Sequence, residues 1–465
     1  MNKTKIVCSI GPASSSVETL EKMIDAGMNV ARFNMSHGTH ESHKLLIDAV
    51  KQARQNKNKP VAIMIDTKGP EIRVKQFENG KIMLKEGDKF TLTAKDVTGT
   101  NEHASITYKT LPKILKKDTK ILLNDGNIEL CVQKTTTTDI VCEVVHGGEL
   151  SNNKSINIPG VKTEMPYLSE QDKSDLLFAK EMDADYIAIS FVNSADDVLQ
   201  VKEYLKSINF KDVKIISKIE SDEGVKNYDK ILKVSDGIMV ARGDLGVEID
   251  FVKIPILQKE FIGKCNYYGK IVITATQMLE SMIKNARPTR AEISDVANAI
   301  FDGTTAIMLS GETASGQFPV ETVETMKRIA LESENYTDGS NAEIITHNTS
   351  RSLGYAVYAL SETEDVQAII VVTKSGITAE NISRFKPSVP IIACTPSEKV
   401  YNKMSLLYGV CPILDKTYKN MQDINKSSLQ KALETGLVEK GDKVVLVSGL
   451  VAGKSGSNLM LIEKI

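Results

Sequence analysis

The chain alternates short β-branched segments with amphipathic helical segments, and this alternation restricts the possible folds more than any other feature. Three strand-like segments come first, at Lys5–Ile10, Asn29–Phe33 and Val61–Ile65. A capping-box sequence at Ser169 begins another helix, and five further strand-like segments follow it: Tyr186–Ser190, Val213–Ser217, Gly237–Val240, Ile271–Ala275 and Ala306–Leu309. Eight such units over about 240 residues predict an α/β fold built on a closed TIM (β/α)8 barrel rather than an open sheet.

The alternation is interrupted between Gly69 and about residue 165. This part has short apolar segments separated by Gly, Asn and Asp turns, and its one helical segment is Leu111–Leu115. Such a pattern predicts a small β domain inserted into the barrel. The chain of 465 residues also exceeds what one hydrophobic core supports. We therefore predict a barrel from residues 1–68 and 166–340, and an inserted β domain from residues 69–165.

The last part of the chain has its own strands and helices. Strand-like segments at Ala368–Val372, Pro390–Ala393 and Val444–Val447 are separated by helical periodicity. A polar stretch at Asn335–Glu343 precedes them and is typical of a linker. We predict a separate C-terminal α/β domain over residues 341–465.

Composition excludes several classes of protein. The 58 Lys and Arg residues nearly balance the 60 Asp and Glu residues, which argues against a nucleic-acid or anionic-membrane partner. The six cysteines are scattered without a C-x-x-C pair, so a disulfide framework or structural zinc site is not expected. The N-terminal residues contain no signal-peptide h-region, and no apolar run approaches the ~18 residues that span a bilayer. We expect a cytoplasmic protein without a membrane segment.

Charged and polar residues follow the predicted barrel strands, where this fold gathers its catalytic groups. Lys218 and Glu220 are separated by one residue, so both point to the same side if the strand continues. Acidic and basic groups gathered at one end of the barrel suit a metal ion bound to a phosphorylated substrate. The residues at these ends are Arg32, Asp66, Thr67, Lys68, Lys218, Glu220, Arg242, Gly243, Asp244, Thr276, Gln277, Ser310, Gly311 and Glu312.

The segments that carry these residues resemble motifs of the pyruvate kinase family. The resemblance covers the whole chain, with the motifs in the family order and the inserted domain in the family position. The motifs are Ala31–Gly38, Asp66–Arg73, Ser217–Glu220, Met239–Gly246, Thr274–Met282, Arg287–Glu292 and Leu309–Ala314.

The resemblance implies transfer of a phosphoryl group from phosphoenolpyruvate to ADP, giving pyruvate and ATP in the last step of glycolysis. Glu220 and Asp244 would hold Mg²⁺ or Mn²⁺, since hard oxygen ligands suit such ions. Lys218 would stabilise the transferring phosphoryl group and the enolate. Arg32 would contact phosphate oxygens. The substrate carboxylate would be held by Thr276, which the family associates with enolate protonation, and by the backbone of Ala241, Arg242 and Gly243.

The resemblance also implies a potassium site and a nucleotide site. Potassium would be bound by Asn34, Ser36, Asp66 and Thr67, and Glu71 is the residue type found in potassium-dependent members. The inserted domain would act as a lid over the nucleotide. The nucleotide contacts would be Asn34, His37, Arg73 and Lys154. His37, His40 and His43 are spaced by three positions and would diverge around a helix, so they are not expected to bind one metal ion. His40 and His43 are expected to be surface residues.

A regulatory site and an assembly are implied as well. Thr373, Lys374, Ser375, Gly376 and Thr378 follow a strand and open a helix, so their N–H groups suit a phosphate. With a terminal loop at Gly453–Asn458, they resemble the family's site for an activating sugar phosphate, commonly fructose 1,6-bisphosphate. The family also implies a homotetramer. The chain ends at Ile465, soon after that loop, so the extra C-terminal domain of some bacterial members is not expected.

Two other functions remain open from the residues alone. A carbon–carbon lyase or aldolase on a metal-binding barrel would use Glu220 and Asp244 in a similar way, but it would have no nucleotide for Lys154 and the inserted domain to enclose. A catalytically silent sensor of sugar phosphate would use only the C-terminal domain. The presence of Lys218 and Thr276 argues against such a sensor.

Overall fold

The computed structural model describes residues 1–337, 342, 348–416, 420–448 and 459–465. The first helix begins after Ser16, whose Oγ accepts a hydrogen bond from the Thr19 N–H at 3.1 Å. Ser16 is therefore the N-cap residue of this helix. The elements before the insertion are β1 Lys5–Ser9, a 3-10 turn Pro12–Ser14, α1 Val17–Ala26, β2 Val30–Asn34, α2 His40–Lys57 and β3 Ala62–Asp66.

The insertion forms a small β structure with its own apolar core, which includes Phe90, Leu130 and Ile140. Seven strands make one sheet in the order β4-β12-β8-β9-β10-β6-β7, and β5 pairs with β11. An isolated antiparallel bridge between Val74 and Ile106, just beyond β4 and β7, connects the two edge strands of that sheet. The elements are β4 Ile72–Arg73, β5 Lys81–Leu84, β6 Lys89–Thr93, β7 His103–Ser105, α3 Leu111–Ile114, β8 Lys120–Leu123, β9 Ile128–Thr135, β10 Asp139–His146, β11 Gly148–Ser151 and β12 Ser155–Asn157.

The chain then returns to the βα pattern. Its first helix has the predicted capping box, with Ser169 Oγ accepting from the Asp172 N–H. Short 3-10 turns lie at Phe251–Lys253, Glu280–Ile283 and Glu334–Tyr336. The other elements are α4 Glu170–Glu181, β13 Tyr186–Ile189, α5 Ala195–Ser207, β14 Lys214–Ile219, α6 Asp222–Lys226, α7 Tyr228–Val234, β15 Gly237–Ala241, α8 Arg242–Glu248, α9 Ile254–Tyr268, β16 Ile271–Ala275, α10 Arg290–Phe301, β17 Ala306–Leu309, α11 Gly311–Ala314 and α12 Pro319–Ser333.

Eight parallel strands close into one barrel in the order β1-β17-β16-β15-β14-β13-β3-β2. The predicted TIM barrel is thus confirmed, because the first three strands and the five later strands form a single ring. Helix side chains such as Leu20, Ile47 and Phe261 pack on its outer face and are buried. The carboxyl ends of all eight parallel strands therefore lie at the same end of the barrel, which we call the mouth.

The last part of the chain forms a five-stranded sheet in the order β20-β19-β18-β21-β22, parallel except for β22. Most of the predicted linker at 335–343 lies outside the described residues, as does the predicted loop at 453–458. Of the described helices, none has both the length and the apolarity needed to cross a bilayer. The elements are α13 Thr349–Thr363, β18 Ala368–Val372, α14 Ile377–Ser383, β19 Ile391–Thr395, α15 Glu398–Lys403, a 3-10 turn Met404–Leu406, β20 Val410–Leu414, α16 Met421–Glu434, β21 Lys443–Ser448 and β22 Leu459–Lys464.

A buried lysine joins this sheet unit to the barrel. The Lys386 ammonium donates to Asn266 Oδ1 at 2.8 Å and to the Gly303 carbonyl, and it lies 5.1 Å from the centre of the Tyr408 ring. Burial lowers the pKa of Lys386 to about 7. The interface therefore contains a proton-binding group whose affinity for the proton falls on folding.

We expect this lysine to make stability rise with pH. Between its folded pKa of about 7 and its ordinary pKa of 10.5 in the unfolded chain, the unfolded state binds more protons, so raising the pH favours folding. In Lys386→Met, the gain in unfolding free energy from pH 7 to pH 9 should be smaller by about 2 kcal/mol. Urea denaturation at each pH measures it, with the exposed Lys89→Met as control. Equal pH slopes in the wild type and Lys386→Met would contradict the assignment.

Candidate active site

Six barrel strands present polar side chains at one mouth. Arg32 lies within β2, Asp66 ends β3, and Lys218 lies within β14. The register sets Asn34 beside Asp66, and Asp66 beside Ala188 of β13. Four further residues directly follow β13, β14, β15 and β16: Ser190, Glu220, Arg242 and Thr276. The parallel ring therefore brings together residues that are more than 200 positions apart in the sequence.

Lys218 occupies the centre of this mouth. Its ammonium lies 3.0 Å from Glu220 Oε1 and 3.2 Å from Asp66 Oδ1, and it donates to Ser190 Oγ at 2.7 Å. Lys218 and Glu220 do point to the same side, as their spacing predicted. Burial opposes the charged form, but the Asp66 and Glu220 carboxylates outweigh it and raise the pKa of Lys218 above its ordinary value. The amine is a fixed positive charge at neutral pH.

Glu220 and Asp244 form the acidic side of the mouth. Glu220 is buried and its Oε2 accepts from the Phe191 N–H at 2.7 Å. Burial raises the pKa of Glu220, Lys218 lowers it, and the charge of Asp244 raises it again. No described residue donates a hydrogen bond to the Asp244 carboxylate. Two neighbouring carboxylates, one of them destabilised as an anion, form a donor set that suits a hard divalent cation.

No complete metal cage is preformed. Among the described residues, no group of three or more His, Cys, Asp and Glu side chains is arranged to hold an ion. An ion bound by Glu220 and Asp244 would therefore need its remaining oxygen ligands from water or substrate, as is usual for Mg²⁺.

Arg32 and Asp66 form a buried pair on the opposite side. Arg32 Nε lies 2.6 Å from Asp66 Oδ2, and its Nη1 donates to Ser9 Oγ at 2.7 Å. Burial alone would raise the pKa of Asp66, but Arg32 and Lys218 hold it below its usual range. The guanidinium is thereby fixed at the mouth by side chains from two neighbouring strands.

A strained turn after β16 holds Thr276 against the start of α8. Thr276 and Gln277 have φ values of 69° and 55°, in the left-handed region that such residues rarely adopt. The Gly243 N–H donates to Thr276 Oγ1 at 2.7 Å. The Arg242 guanidinium donates to the Thr276 carbonyl at 2.7 Å and lies 2.7 Å from Asp295 Oδ1. The side chain of Arg242 thus stabilises the turn, while the backbone of Arg242 and Gly243 lies at the mouth.

Sequence reasoning missed Ser190, because the predicted fourth strand, Tyr186–Ser190, included it and no residue was singled out at the end of that strand. Besides accepting from Lys218, the Ser190 hydroxyl donates to the Thr67 carbonyl at 2.8 Å. The next residue, Phe191, has φ 52° and directs its N–H to Glu220. Ser190 and Phe191 therefore position both Lys218 and Glu220. A polar residue at the last position of the fourth predicted strand was the available signal.

The residues predicted for potassium lie together. Asn34 and Asp66 face each other on neighbouring strands, and the Met35 N–H donates to the Asp66 carbonyl at 2.9 Å. Asn34 Oδ1 accepts from the Ser36 N–H at 3.1 Å. Thr67 follows Asp66 and is buried. This part of the mouth offers carboxylate, amide and hydroxyl oxygens, the ligand type of an alkali cation.

The residues predicted for nucleotide binding also converge. The pKa of His37 is lowered by desolvation and then by the positive charges of Arg73, Arg32 and Lys154. Arg73 lies 2.7 Å from Glu71 and donates to the Asn153 carbonyl at 2.7 Å. The Lys154 carbonyl accepts from the Val74 N–H at 2.9 Å. The insertion thus carries Arg73 and Lys154 to the side of the mouth where His37 lies.

The prediction that His40 and His43 are surface residues was wrong. His43 is buried, and its Nε2 lies 2.6 Å from the His37 carbonyl. His40 is partly buried, stacks on Phe178, and lies 2.7 Å from Asp175 Oδ1. His37 lies before α2, so the helical spacing used for all three histidines did not apply to it.

The predicted phosphate loop connects β18 to α14, as expected. Gly376 has φ 82°, which favours glycine, and its N–H donates to Thr373 Oγ1 at 3.0 Å. Lys374 and Ser375 are exposed and Thr378 is partly buried. The helix starts at Ile377, so the loop lies at its N-terminus. Its proposed partner loop at 453–458 is outside the described residues.

The fold and this mouth together define a (β/α)8-barrel enzyme with a cationic centre and an acidic rim. The profile described as "Pyruvate kinase, barrel domain" matches residues 1–323, and "Pyruvate kinase, alpha/beta domain" matches residues 351–463. A pyruvate kinase of Clostridium perfringens is 46% identical over 474 residues, covering 100% of both chains. Pyruvate kinases of Clostridium acetobutylicum and Geobacillus stearothermophilus are 45% and 46% identical, covering 99% and 100% of this chain and 99% and 80% of their own. The chain belongs to the pyruvate kinase family and is a phosphotransferase.

Proposed function

We propose that this chain transfers the phosphoryl group of phosphoenolpyruvate to ADP, giving pyruvate and ATP in the last step of glycolysis. The observation that carries the proposal is the buried Lys218 ammonium, which lies between Asp66 and Glu220 at the barrel mouth. Phosphoryl transfer requires positioning and charge stabilisation rather than covalent work by the protein. A fixed cation surrounded by carboxylates and a guanidinium meets that requirement.

Lys218 and Arg32 stabilise the charge that develops during transfer. The Lys218 ammonium remains protonated and faces the mouth, so it stabilises the oxygens of the migrating phosphoryl group and the enolate oxygen. The Arg32 guanidinium, held by Asp66 and Ser9, is presented to a phosphate at low entropic cost. Both groups are fixed before substrate binds, which is the condition for effective electrostatic catalysis.

Glu220 and Asp244 are the residues that would hold Mg²⁺ or Mn²⁺. Such an ion, when bound, neutralises negative charge on the substrate carboxylate and phosphate. The raised pKa of Glu220 supports this assignment, because burial and the charge of Asp244 leave the anion unfavourable even beside Lys218, and a divalent cation would stabilise it. Glu220 keeps its orientation through the Phe191 N–H, so the ligand oxygens are positioned by the barrel itself.

The turn after β16 binds the other end of the substrate. We assign the substrate carboxylate to Thr276 and to the backbone of Ala241, Arg242 and Gly243. Thr276 Oγ1 accepts the Gly243 N–H and donates to the Ala275 carbonyl at 2.6 Å, so it already links the two segments. Thr276 also orients a water molecule through which a solvent proton reaches the enolate carbon.

The nucleotide binds between the mouth and the insertion. Asn34, His37, Arg73 and Lys154 are its contacts, and residues 69–165 act as a lid domain on a barrel domain of residues 1–68 and 166–340. The cations around His37 support this assignment, because they would meet a polyphosphate from two sides. Asn157 in β12 donates to Glu248 in α8 at 2.8 Å, which links the lid to the helix that carries Asp244.

Production of ATP from phosphoenolpyruvate and ADP, coupled to pyruvate reduction, tests the proposal. We expect turnover that requires both substrates and a divalent cation. A lyase would consume pyruvate or its enolate without ADP, and a silent sensor would show no turnover while binding a sugar phosphate. Either result would overturn the proposal.

A potassium requirement is the first prediction from this assignment. The ion is bound by Asn34, Ser36, Asp66 and Thr67. Glu71, the residue type found in potassium-dependent members, lies beside Arg73. Replacing K⁺ by tetramethylammonium at constant ionic strength should lower kcat by about tenfold or more, because one charge next to the phosphoryl group is lost. Equal kcat in both salts would show that the oxygens of this cluster bind no catalytic ion.

We also propose activation by a sugar phosphate at the C-terminal domain of residues 341–465. The loop of Thr373, Lys374, Ser375, Gly376 and Thr378 opens α14 and suits a phosphate. Fructose 1,6-bisphosphate and other sugar phosphates should lower the KM for phosphoenolpyruvate severalfold. Lys374→Ala should abolish that response and leave the basal rate unchanged, with Lys443→Ala as control. An unaltered response in Lys374→Ala would exclude this loop.

The assembly and location stay predictions from the resemblance. Exposed apolar side chains on the barrel support a homotetramer, since Phe251, Val252 and Ile256 lie within six positions and are 74%, 60% and 69% exposed. The cytoplasmic location follows from the family and from the composition.

A further inference from the structure

A cavity of about 630 Å³ lies between the barrel and the C-terminal sheet unit. Its barrel side is formed by the end of α5, the loop to β14 and the start of β13, and its other side by α14, α15 and the 3-10 turn after α15. This volume lies within the range of small-molecule sites. The cavity is not part of the mouth that carries Lys218.

The inner part of the cavity is apolar. Leu205, Phe210 and Val213 line it from the barrel, and Met404 and Leu407 line it from the C-terminal unit. These side chains are buried and belong to the packed cores on either side. The apolar body of a ligand would therefore occupy space bounded by apolar side chains from both units.

The rim of the cavity has more positive than negative charges. Its carboxylates are those of Asp212, Asp236 and Glu380. Of these, Glu380 forms an ion pair, with its Oε1 lying 2.5 Å from Lys214 Nζ. Within the described residues, Lys202, Lys206 and Lys211 form no ion pair. The lysines of the rim are Lys202, Lys206, Lys211, Lys214 and Lys403.

These lysines also repel one another. Burial and then the neighbouring Lys214 lower the pKa of Lys403. Near the rim, burial lowers the pKa of Lys270, Asp236 opposes that shift, and Lys202 adds to it. An anion bound at this rim would offset the repulsion that Lys214 exerts on Lys403 and that Lys202 exerts on Lys270.

The cavity lies at the end of the barrel opposite the proposed catalytic mouth. β14 begins at Lys214 on the cavity rim and reaches Lys218 at its other end. The cavity includes Ser375 and Gly376 of the proposed phosphate loop, but most of its lining belongs to the barrel and to α15 with the turn after it. A ligand here would not overlap phosphoenolpyruvate.

We propose that this cavity binds an organic anion with an apolar body and one phosphate or carboxylate group. The body packs on Leu205, Phe210 and Met404, and the charged group lies among Lys202, Lys206 and Lys211 at the rim. The proposal goes beyond the proposed function, because neither the catalytic mouth nor the sugar-phosphate loop requires it.

The test uses 1-naphthyl phosphate as the probe and isothermal titration calorimetry on the full chain. The double variant Lys206→Glu/Lys211→Glu should weaken binding by about tenfold or more, because two exposed cations near the phosphate become anions. Both side chains are exposed, so the fold should persist. Lys85→Glu/Lys89→Glu makes the same charge change on the insertion and should bind like the wild type.

The two parts of the probe are also tested separately, to distinguish this site from the phosphate loop. Inorganic phosphate and 2-naphthol should each bind at least about tenfold more weakly than 1-naphthyl phosphate, and saturating phosphoenolpyruvate should not displace the probe. The proposal is overturned if the probe does not bind, if phosphoenolpyruvate displaces it, or if Lys206→Glu/Lys211→Glu binds normally. If inorganic phosphate bound as tightly as 1-naphthyl phosphate, and Lys374→Ala abolished that binding, the anion would be assigned to the phosphate loop instead.

Discussion

Lys218→Met should lower kcat for ATP formation by roughly 10³-fold, with a much smaller change in the KM for phosphoenolpyruvate. The ammonium is buried at the mouth, 3.0 Å from Glu220 and 3.2 Å from Asp66, so no other cation can take its position. Its charge is needed most when the phosphoryl group is in transit and the enolate forms. Steady-state kinetics with varied phosphoenolpyruvate separate the two parameters.

The variant removes one charge from a buried cluster, so its folding must be measured as well. Loss of the Lys218 ammonium leaves Glu220 without a paired cation and Asp66 with Arg32 alone. We expect this to destabilise the chain by about 3–5 kcal/mol, which thermal unfolding should show. Lys226→Met, on the exposed surface of α6, is the matched control and should keep wild-type kinetics. A folded Lys218→Met protein with kcat within threefold of the wild type would remove Lys218 from the catalytic step.

Glu220→Gln should abolish most activity and shift its dependence on Mg²⁺. The amide keeps the shape of the side chain and can still accept from the Phe191 N–H, so the loop after β13 should stay in place. What is lost is one of the two carboxylates that would hold the cation. We expect kcat to fall by roughly 10²–10³-fold and the Mg²⁺ concentration for half-maximal activity to rise by at least about tenfold.

A Mg²⁺ titration of the initial rate measures both effects. Glu223→Gln, three positions along the chain on α6, changes the same charge without touching the mouth and should titrate like the wild type. Because the activation constant is measured separately from kcat, a general loss of folding cannot imitate the shift. An unchanged Mg²⁺ response in Glu220→Gln would move the metal site elsewhere.

Strong local patterns made most of the fold predictable. Each barrel strand was predicted within two residues of its observed bounds, because the strands are fully buried β-branched segments between turn and cap residues. β20 was missed because Pro412 interrupts it, and β22 because it is an antiparallel edge strand with several exposed residues. Edge strands carry a weaker apolar pattern, so periodicity alone does not detect them.

The charged part of the site was predictable for a different reason. In a parallel barrel every strand ends at the same mouth, so Lys218 and Asp66 had to approach one another once the eight strands were identified. Their partners depend on side-chain direction at single positions, which periodicity does not specify. Ser190 was counted as the last residue of a strand, and only the structure shows that its hydroxyl accepts from Lys218. The buried His43 ring lies against the His37 carbonyl.

A crystal structure with Mn²⁺ and oxalate, a planar analogue of the enolate, tests the central claim most directly. The claim is that a divalent cation and a lysine meet the substrate at one end of the barrel. We predict an anomalous difference peak bound by Glu220 and Asp244, with oxalate between that peak and the Lys218 ammonium. The account would be contradicted if no anomalous peak lay at these two carboxylates, or if oxalate bound away from Lys218.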